Sequence, residues 1–550
     1  MMDYQALAEL LFPHITTTPE DMEKRFPERN LPEGAKVTRM APSPTGFMHL
    51  GNLYGALVDE RLAHQSGGIF YLRIEDTDQK RLVENGVAMI LEVFDKFGLA
   101  FDEGAGLGGD RGAYGPYHQS KRAEIYQTFV KDLVARGMAY PCFCTETELE
   151  EMRKIQEEKK ENFGYYGAYA RCRNLSLEEI REKLERGESY VIRFRSEGSC
   201  ERKIIHTDLV KGRLELTEND QDVVILKSDG IPTYHFAHVV DDHLMRTTHV
   251  VRGEEWLPTL PIHLQLFDAM GWKRPKYIHT AQMMKMDGTS KRKLSKRKDP
   301  EFALEYYFRT GIPIAAAVEY LMTLLNSNFE EWRMANPQAP LDDFKFTTNK
   351  MSGSGALFDM DKLQDVCRNV VSRMSAEEVY SQVMAWAREY DPDFAAVFGA
   401  DEAYAKAILG IGRGGKKPRK DFGLWSQVKE YVSFFFEELF APDYSGMPEH
   451  LSRDTVRQIL KDYRESYSPA EDSNTWFEGL KELCPRYGLT ADMKAYKANP
   501  EAFAGNVADL SMVLRVAVCG RTNAPDLYTV MTLLGEEKVK ERLARAEETL

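Results

Sequence analysis

The chain is poor in cysteine, in long apolar runs and in net positive charge. Seven cysteines, at 142, 144, 172, 200, 367, 484 and 519, are spread over 550 residues. They are too few, and odd in number, for a disulfide framework, so a reducing, cytoplasmic setting is expected. No run of 18 or more apolar residues occurs, so neither a membrane span nor a membrane partner is expected. The first residues carry acids and lack a basic stretch followed by a long apolar core, and are not expected to be a signal peptide. A net charge of −14 argues against bulk non-specific nucleic-acid binding, while leaving room for a local basic surface. No internal repeat or low-complexity tract is present. What is there is globular in composition, 43% apolar and 29% charged, and long enough for three or four domains.

The stretch Arg39 to Asp78 organises the rest. Lys36 to Ala41 reads as a strand, and Pro42, Ser43, Pro44, Thr45 and Gly46 then break any regular element. Leu50, Leu53, Leu57 and Leu62 recur at helical spacing until Gly67-Gly68. Ile69, Tyr71, Arg73 and Glu75 share one face of a second strand. This is a βαβ unit, which implies a parallel sheet with a right-handed crossover. Ligands in such sheets bind beyond the carboxyl ends of the strands. The loop falls there with a helix N-terminus behind it, a ready anion site. His49 and Asn52 in the first turn can donate to phosphate oxygens, and Gly51 lets a flat purine approach the backbone.

Further along, Val83 to Phe97 and Lys121 to Arg136 read as helices, and Gly104 to Gly115 as a surface loop that follows no strand. Cys142, Cys144 and Cys172 offer three soft ligands where zinc takes four. Tyr169, Tyr166 or Cys200 are candidates for the fourth, of which Tyr169 is assigned; three idle cysteines remain the alternative. Thr145 and Glu148 form a capping box at the next helix start. Residues 141 to 225 read as an insertion, with strand-like pieces at Ser189 to Arg195 and Val223 to Lys227. His249 to Arg252 is a buried-type strand ending in a charge, and an Arg there suits a bidentate carboxylate clamp. Lys285 to Lys298 is strongly basic and holds Gly288, Thr289 and Ser295, so it reads as a mobile loop placing Lys296 on phosphates. From about Ala303 the pattern is helical, with helices expected at Ser375 to Tyr390, Asp421 to Leu439, Ser452 to Tyr467, Thr475 to Tyr487 and Asp526 to Leu550. Ile411 to Lys420, and Arg515 with Arg521, are basic features fit for phosphate contacts.

HLGN in the first βαβ unit and KLSKR more than two hundred residues later resemble, as a pair, the two signatures of class I aminoacyl-tRNA synthetases. RMAPSPTGFMHLGN, LRIEDTD, YHFAHVVDDHLM and VVRGEEWLP resemble the bacterial-type glutamyl-tRNA synthetases, strongly over about residues 37 to 140 and 225 to 310. A helical tail sets the chain apart from glutaminyl enzymes, whose anticodon domains are β-barrels, and from the short glutamyl-queuosine relatives, which lack it. The resemblance implies an α/β N-terminal half, a Rossmann-type parallel sheet with an inserted domain, followed by an all-α C-terminal anticodon-binding region. In residues this means a helical arm (1–35), the first catalytic half (36–140), an inserted acceptor-end-binding domain with the zinc candidate (141–225), and the second catalytic half with the KLSKR loop (226–305). A stem-contact helical domain (306–374) and a helical anticodon-binding domain (375–550) complete it.

The implied activity is ATP-dependent attachment of L-glutamate to the 3′ end of tRNA(Glu) through a glutamyl-adenylate, releasing AMP and pyrophosphate. Whether tRNA(Gln) is also charged stays open; the state implied is a monomer. By the same resemblance Arg39, Ala41, Ser43, Glu75, Tyr234 and Arg252 line the glutamate site. Thr45, Gly46, His49, Gly51, Asn52, Glu255 and Lys296 bind ATP with Mg²⁺, and His49, Asn52, Lys293, Ser295 and Lys296 are catalytic. Asp241, Lys416, Lys417, Arg419 and Arg521 are the expected tRNA contacts, and Cys142, Cys144, Cys172 and Tyr169 the zinc ligands. His238 stands where many relatives carry Asn, and Asn174 where some have His. The arm and the stretch Asn349 to Lys362 look like subgroup additions.

Overall fold

The computed structural model describes residues 2–46, 48–295, 297–470 and 472–550. Residues 1–306 with 320–359 form one compact unit, and 307–319 with 360–550 a second.

The first unit is built on a parallel sheet. β1 (Val37–Met40) pairs in parallel with β2 (Ile69–Leu72), which pairs in parallel with the short β3 (Glu103–Gly104). A second ladder joins β9 (His249–Gly253) to β10 (Lys276–Thr280), again in parallel. The Thr248 N–H donates to the Val37 carbonyl at 2.9 Å, and the Val37 N–H to Thr248 Oγ at 2.8 Å, which lays the ladders edge to edge in the order 3-2-1-9-10. β1 is buried along its whole length, as is usual for a parallel sheet covered on both faces.

Helix α3 (Leu50–His64) crosses between β1 and β2 and packs on β1, β2 and β9. Its leucines 50, 53, 57 and 62 are all buried, each contributing about 2 kcal/mol of apolar burial. Gly67, at φ +66°, ends the helix in the left-handed region. At Gly68 a Cβ would stand 1.9 Å from the Lys36 carbonyl, so any side chain there would push the helix exit off the start of β1. The expected helices of the first half are α4 (Gly86–Lys96) and α5 (Ala123–Ala135). The glycine-rich segment 104–115 does follow a strand, β3, and is pinned by the bridge between Gly104 and Arg111. The N-terminal arm is two short helices, α1 (Tyr4–Leu11) and α2 (Pro19–Arg25). α1 packs on α5, and Arg29 locks the arm with a bidentate pair to Glu103 at 2.9 and 3.0 Å.

The insertion contributes an antiparallel sheet of β4 (Ala139–Cys142), β5 (Val191–Phe194) and β8 (Val224–Leu226), in that order, and α6 (Glu146–Lys159), capped by Thr145 and Glu148 as expected. It also holds a hairpin that the sequence pattern does not announce, β6 (Lys203–Asp208) with β7 (Gly212–Thr217). Its strands mix charged with apolar residues and are half exposed, which blurs the period-two signal. Helix α7 (Leu177–Glu185) lies between, and α8 (Tyr234–Leu244) leads into β9. Helix α9 (Leu260–Ala269) follows β9. The basic stretch expected as a mobile loop is instead largely a hairpin, β11 (Met283–Asp287) with β12 (Ser290–Lys293). Arg292 ties it to Asp287 at 2.9 Å and to Asp299 at 2.6 and 2.7 Å.

The segment 306–374, expected as one domain, is divided between the units. Tyr54 Oη donates to the Leu324 carbonyl at 3.3 Å and the Gln65 side chain hydrogen-bonds around Phe344 and Phe346, holding 320–359 to α3. Trp425 N–H donates to the Gly311 carbonyl at 2.8 Å, holding 307–319 to the second unit.

That unit is helical. Ala376–Tyr390 begins at the expected Ser375/Glu378 capping box, Arg453–Ser466 and Val507–Cys519 supply much of its core, and Ser473–Leu483 adds Leu480. Two expected long helices are broken. Residues 421–439 form only short turns around Val428–Val432, and 526–550 splits at Gly535, φ +82°, into Leu527–Leu534 and Glu536–Thr549. Arg542 is fully buried, donating to the carbonyls of Phe434 and Val518 and to Glu437.

Candidate active site

A cavity of about 670 Å³ opens beyond the carboxyl ends of β1, β9 and β10, the position that open parallel sheets reserve for ligands. All six residues expected to hold an amino acid line it: Arg39, Ala41, Ser43, Glu75, Tyr234 and Arg252. So do His49, Gly51, Asn52, Glu255 and Lys293. Thr45, Gly46 and Ser295 do not, and Lys296 lies outside the described residues. Ser295 instead donates its N–H to Asp299 at 2.9 Å, which fixes the exit of the β11–β12 hairpin.

The cavity floor is a set of arginines held by buried carboxylates. Asp242 on α8 accepts from Arg73 at 2.7 Å and from Arg39 at 3.3 Å, with His238 Nδ1 2.9 Å away. Burial would raise the Asp242 pKa, but Arg39 and Arg73 hold it well below the usual carboxylate range. Glu75, 3.0 Å from Arg73, is raised, because its burial outweighs the nearby Arg73 and Arg39. Burial raises the pKa of Asp59 on α3 well above its usual value, against the pull of the nearby Arg39. Arg252 differs: His279 lies at 2.9 Å and His263 at 3.0 Å, the Tyr234 hydroxyl is beside it, and its Nη2 is buried without a close partner.

At the other end of the cavity, His49 is the N-cap residue of α3. Its N–H donates to Asn52 Oδ1 at 3.0 Å, and its ring stacks on Phe302 with centroids 4.6 Å apart. An antiparallel bridge between His49 and Ala303 joins the first signature to the segment that follows the second. A Cβ on Gly51 would press on the His49 ring at 3.1 Å, so the glycine also makes room for that imidazole.

Asp241 corrects an expectation. It is fully buried, and its carboxylate accepts from Arg122 at 2.7 Å, Tyr126 at 2.8 Å and Gln119 at 2.9 Å. It braces the sheet from inside and is not available to tRNA. The zinc candidate is corrected at its fourth position. The sulfurs of Cys142, Cys144 and Cys172 all lie within 4.8 Å of one another. The hydroxyl next to them is that of Tyr165, 3.4 Å from Cys142 Sγ and 3.3 Å from Cys144 Sγ. Tyr169 turns to Glu161 at 2.5 Å, Tyr166 to the Asn162 carbonyl, and Cys200 is exposed. Three sulfurs this close could hold one metal ion, and thiolates are ligands that Zn²⁺ takes. In the helical unit, Arg419 and Arg521 line a common cavity of about 260 Å³ with Arg368 and Tyr431, whereas Lys416 and Lys417 are simply exposed. Arg419 is paired with Asp421 at 2.6 and 2.7 Å; Arg521 donates to the Glu430 carbonyl and to Ser433 Oγ. Arg515 is turned inward, to the carbonyls of Ala524 and Pro525.

A nucleotide-type loop, a cationic floor and a helical second unit are the parts of a class I synthetase. Residues 36–365 match the family description "tRNA synthetases class I (E and Q), catalytic domain", and residues 419–547 match "Anticodon binding domain". The chain is 54% identical to the glutamate–tRNA ligase of Acetivibrio thermocellus, over 99% of this chain and 100% of that protein. It is 50% identical to that of Clostridium perfringens strain 13, over 98% of this chain and all of the other. Among solved structures, a crystal structure of a glutamate tRNA ligase from Elizabethkingia meningosepticum in complex with its amino acid matches with a TM-score of 0.75. That match has 29% identity and covers 94% of this chain and 99% of that one. The chain belongs to the glutamate–tRNA ligase family of class I aminoacyl-tRNA synthetases. Among the described residues no helix is long and apolar enough to cross a membrane.

Proposed function

We propose that this chain joins L-glutamate to the 3′ end of tRNA(Glu) at the expense of ATP. The observation that carries the substrate choice is Arg252: a buried guanidinium with an unpartnered Nη2 and no carboxylate partner among the described residues, in the same cavity as the phosphate-type helix end. A buried cation left unpaired is costly, and an anionic ligand group offsets that cost. Glutamate's side-chain carboxylate is the group Arg252 would pair with, and Glu75 would accept from its α-ammonium. Glutamine offers a neutral amide and leaves the cation unpaired, which is the basis of rejection.

In the first step an oxygen of the glutamate α-carboxylate attacks the α-phosphorus of ATP. The bond from that phosphorus to the bridging oxygen breaks and pyrophosphate leaves. In the second step a hydroxyl of the terminal ribose attacks the glutamyl carbonyl, AMP departs, and the hydroxyl proton leaves with the phosphate. The nucleophiles are the substrates' own, so the chain's work is alignment and charge neutralisation. The α3 N-terminus, His49 and Asn52 hold phosphates, and Lys293 with the sequence-assigned Lys296 neutralises charge on the leaving group. Mg²⁺ bound with ATP shields the phosphates. Cys142, Cys144 and Cys172, with Tyr165 beside them, would hold a Zn²⁺ that would brace the inserted domain. Arg521 and Arg419 contact the tRNA from the helical unit.

The test is charging of purified glutamate and glutamine tRNAs with labelled glutamate, side by side. Charging of the glutamate tRNA supports the proposal; charging of both extends it to tRNA(Gln); failure with both under conditions where the enzyme binds ATP overturns it.

A further inference from the structure

Arg39 and Arg73 share the carboxylate of Asp242, but Arg252, 8% exposed, is held by neutral groups, two imidazoles with the Tyr234 hydroxyl beside them. Its Nε donates to His279 Nε2 at 2.9 Å and its Nη1 lies 3.0 Å from His263 Nδ1. A guanidinium has only donors, so both facing nitrogens must carry lone pairs. That requirement sets the protons on the far side of each ring. His279 carries its proton on Nδ1, 2.7 Å from Asp208 Oδ2. His263 carries its proton on Nε2, 3.0 Å from His235 Nδ1, which must then accept. Asp208 is itself fixed: Oδ1 accepts the N–H groups of Val210 at 2.9 Å and Lys211 at 2.8 Å, and Oδ2 that of His279 at 3.1 Å. Burial lowers the pKa of His279, against the pull of Asp208, and those of His263 and His235, so the rings are held neutral. The Arg252 guanidinium lies over the Tyr277 ring, 4.9 Å from its centroid, which closes its back.

We infer that Asp208, His279, His263 and His235 form a positioning relay for glutamate selection: two neutral acceptors aim Arg252 without neutralising it. A carboxylate in either ring's place would orient the guanidinium equally well, but it would have to be displaced or shared when the ligand's carboxylate arrives. Neutral imidazoles fix its direction and leave its full charge for the ligand. Asp208 stands at the end of β6, so the hairpin of the inserted domain reaches the amino-acid site through one carboxylate. The inference rests on the proposed pairing of Arg252 with glutamate.

Steady-state charging of tRNA(Glu) by the full chain tests it, with KM for glutamate and kcat read separately. His279→Phe removes the acceptor. It is expected to raise KM for glutamate about tenfold or more, since one hydrogen bond to a charged group is lost, with KM for ATP unchanged. His279→Gln, whose Oε1 stands near the place of Nε2 and has no tautomer to set, is expected to recover most of that loss. Asp208→Asn turns an N–H toward Nδ1 and moves the imidazole proton to face Arg252. Its effect on KM should therefore be several-fold larger in the wild-type background than in the His279→Gln background. Equal effects in both backgrounds, or an unchanged KM for glutamate in a folded His279→Phe enzyme, overturn the relay. If His279→Phe fails to fold, the Asp208→Asn comparison in the two backgrounds decides. Arg252→Lys serves as the reference: a loss there with none at His279 leaves the clamp standing and removes the relay, whereas no loss at Arg252 removes the clamp itself.

Discussion

Arg252→Ala is the most informative single change. The wild-type guanidinium is buried, stacked on Tyr277 and aimed by two imidazoles, so it is already desolvated before glutamate arrives. Pairing with the ligand adds two hydrogen bonds between charged groups, each contributing roughly 1.5–3 kcal/mol. Removing one member of a buried ion pair costs about 3–5 kcal/mol, because the other charge stays buried and unpaired. At about 1.4 kcal/mol per decade, kcat/KM for glutamate should fall on the order of a hundred- to several-thousand-fold. Glutamine has no charge to strand, so its own small rate should change far less and the ratio between the two should narrow. The assay is charging of tRNA(Glu) with each labelled amino acid at several concentrations. A loss under tenfold with the glutamate-to-glutamine ratio unchanged would refute the clamp.

Three further changes probe other parts of the molecule. Asp241→Ala strands the buried Arg122 and two hydroxyl or amide donors, so it should destabilise the first unit by about 3–5 kcal/mol; a melting temperature within about a degree of wild type would contradict its bracing role. Cys144→Ser should lower bound zinc, measured by metal analysis of purified protein, below the level in a Tyr169→Phe variant, which should match wild type; equal loss in both would reject the assignment of ligands. His249 is buried, and burial, with help from Lys276 and Lys36, lowers its pKa to about 4. The unfolded chain takes up that proton near pH 6.5 while the folded chain does not, so stability from this group is complete above pH 6.5 and is lost as pH falls toward 4, by at most about 3 kcal/mol. Denaturation of His249→Gln between pH 7 and 4.5 should decline less steeply than wild type; parallel curves would contradict the burial argument.

The first βαβ unit was legible because its leucine spacing, its Pro/Gly loop and the Gly67-Gly68 exit agree with one another. Arg252 was legible from its place at the end of a buried-type strand, but the rest of the amino-acid site only through resemblance: Arg39, Glu75 and Tyr234 are far apart in sequence, and no local pattern links them. What stayed hidden were the partners of those residues. Asp208 and His279 are 71 positions apart and meet only because the β6–β7 hairpin folds back onto β10. Tyr165 could not be told from Tyr166 and Tyr169 by spacing, since the turns after α6 decide which hydroxyl faces the cysteines. Asp241 was expected to face the tRNA on the strength of the family resemblance. On α8, however, that side points at Arg122 and the sheet, and periodicity in a helix buried on most faces gives no outward direction.

The most direct test of the central claim is single-turnover charging of tRNA(Glu) with glutamate, glutamine and aspartate offered separately, with AMP release followed alongside. The account predicts that glutamate alone is transferred, with one AMP released per glutamyl-tRNA formed. Transfer of glutamine at a comparable rate, or glutamyl-tRNA formed without AMP, would contradict it.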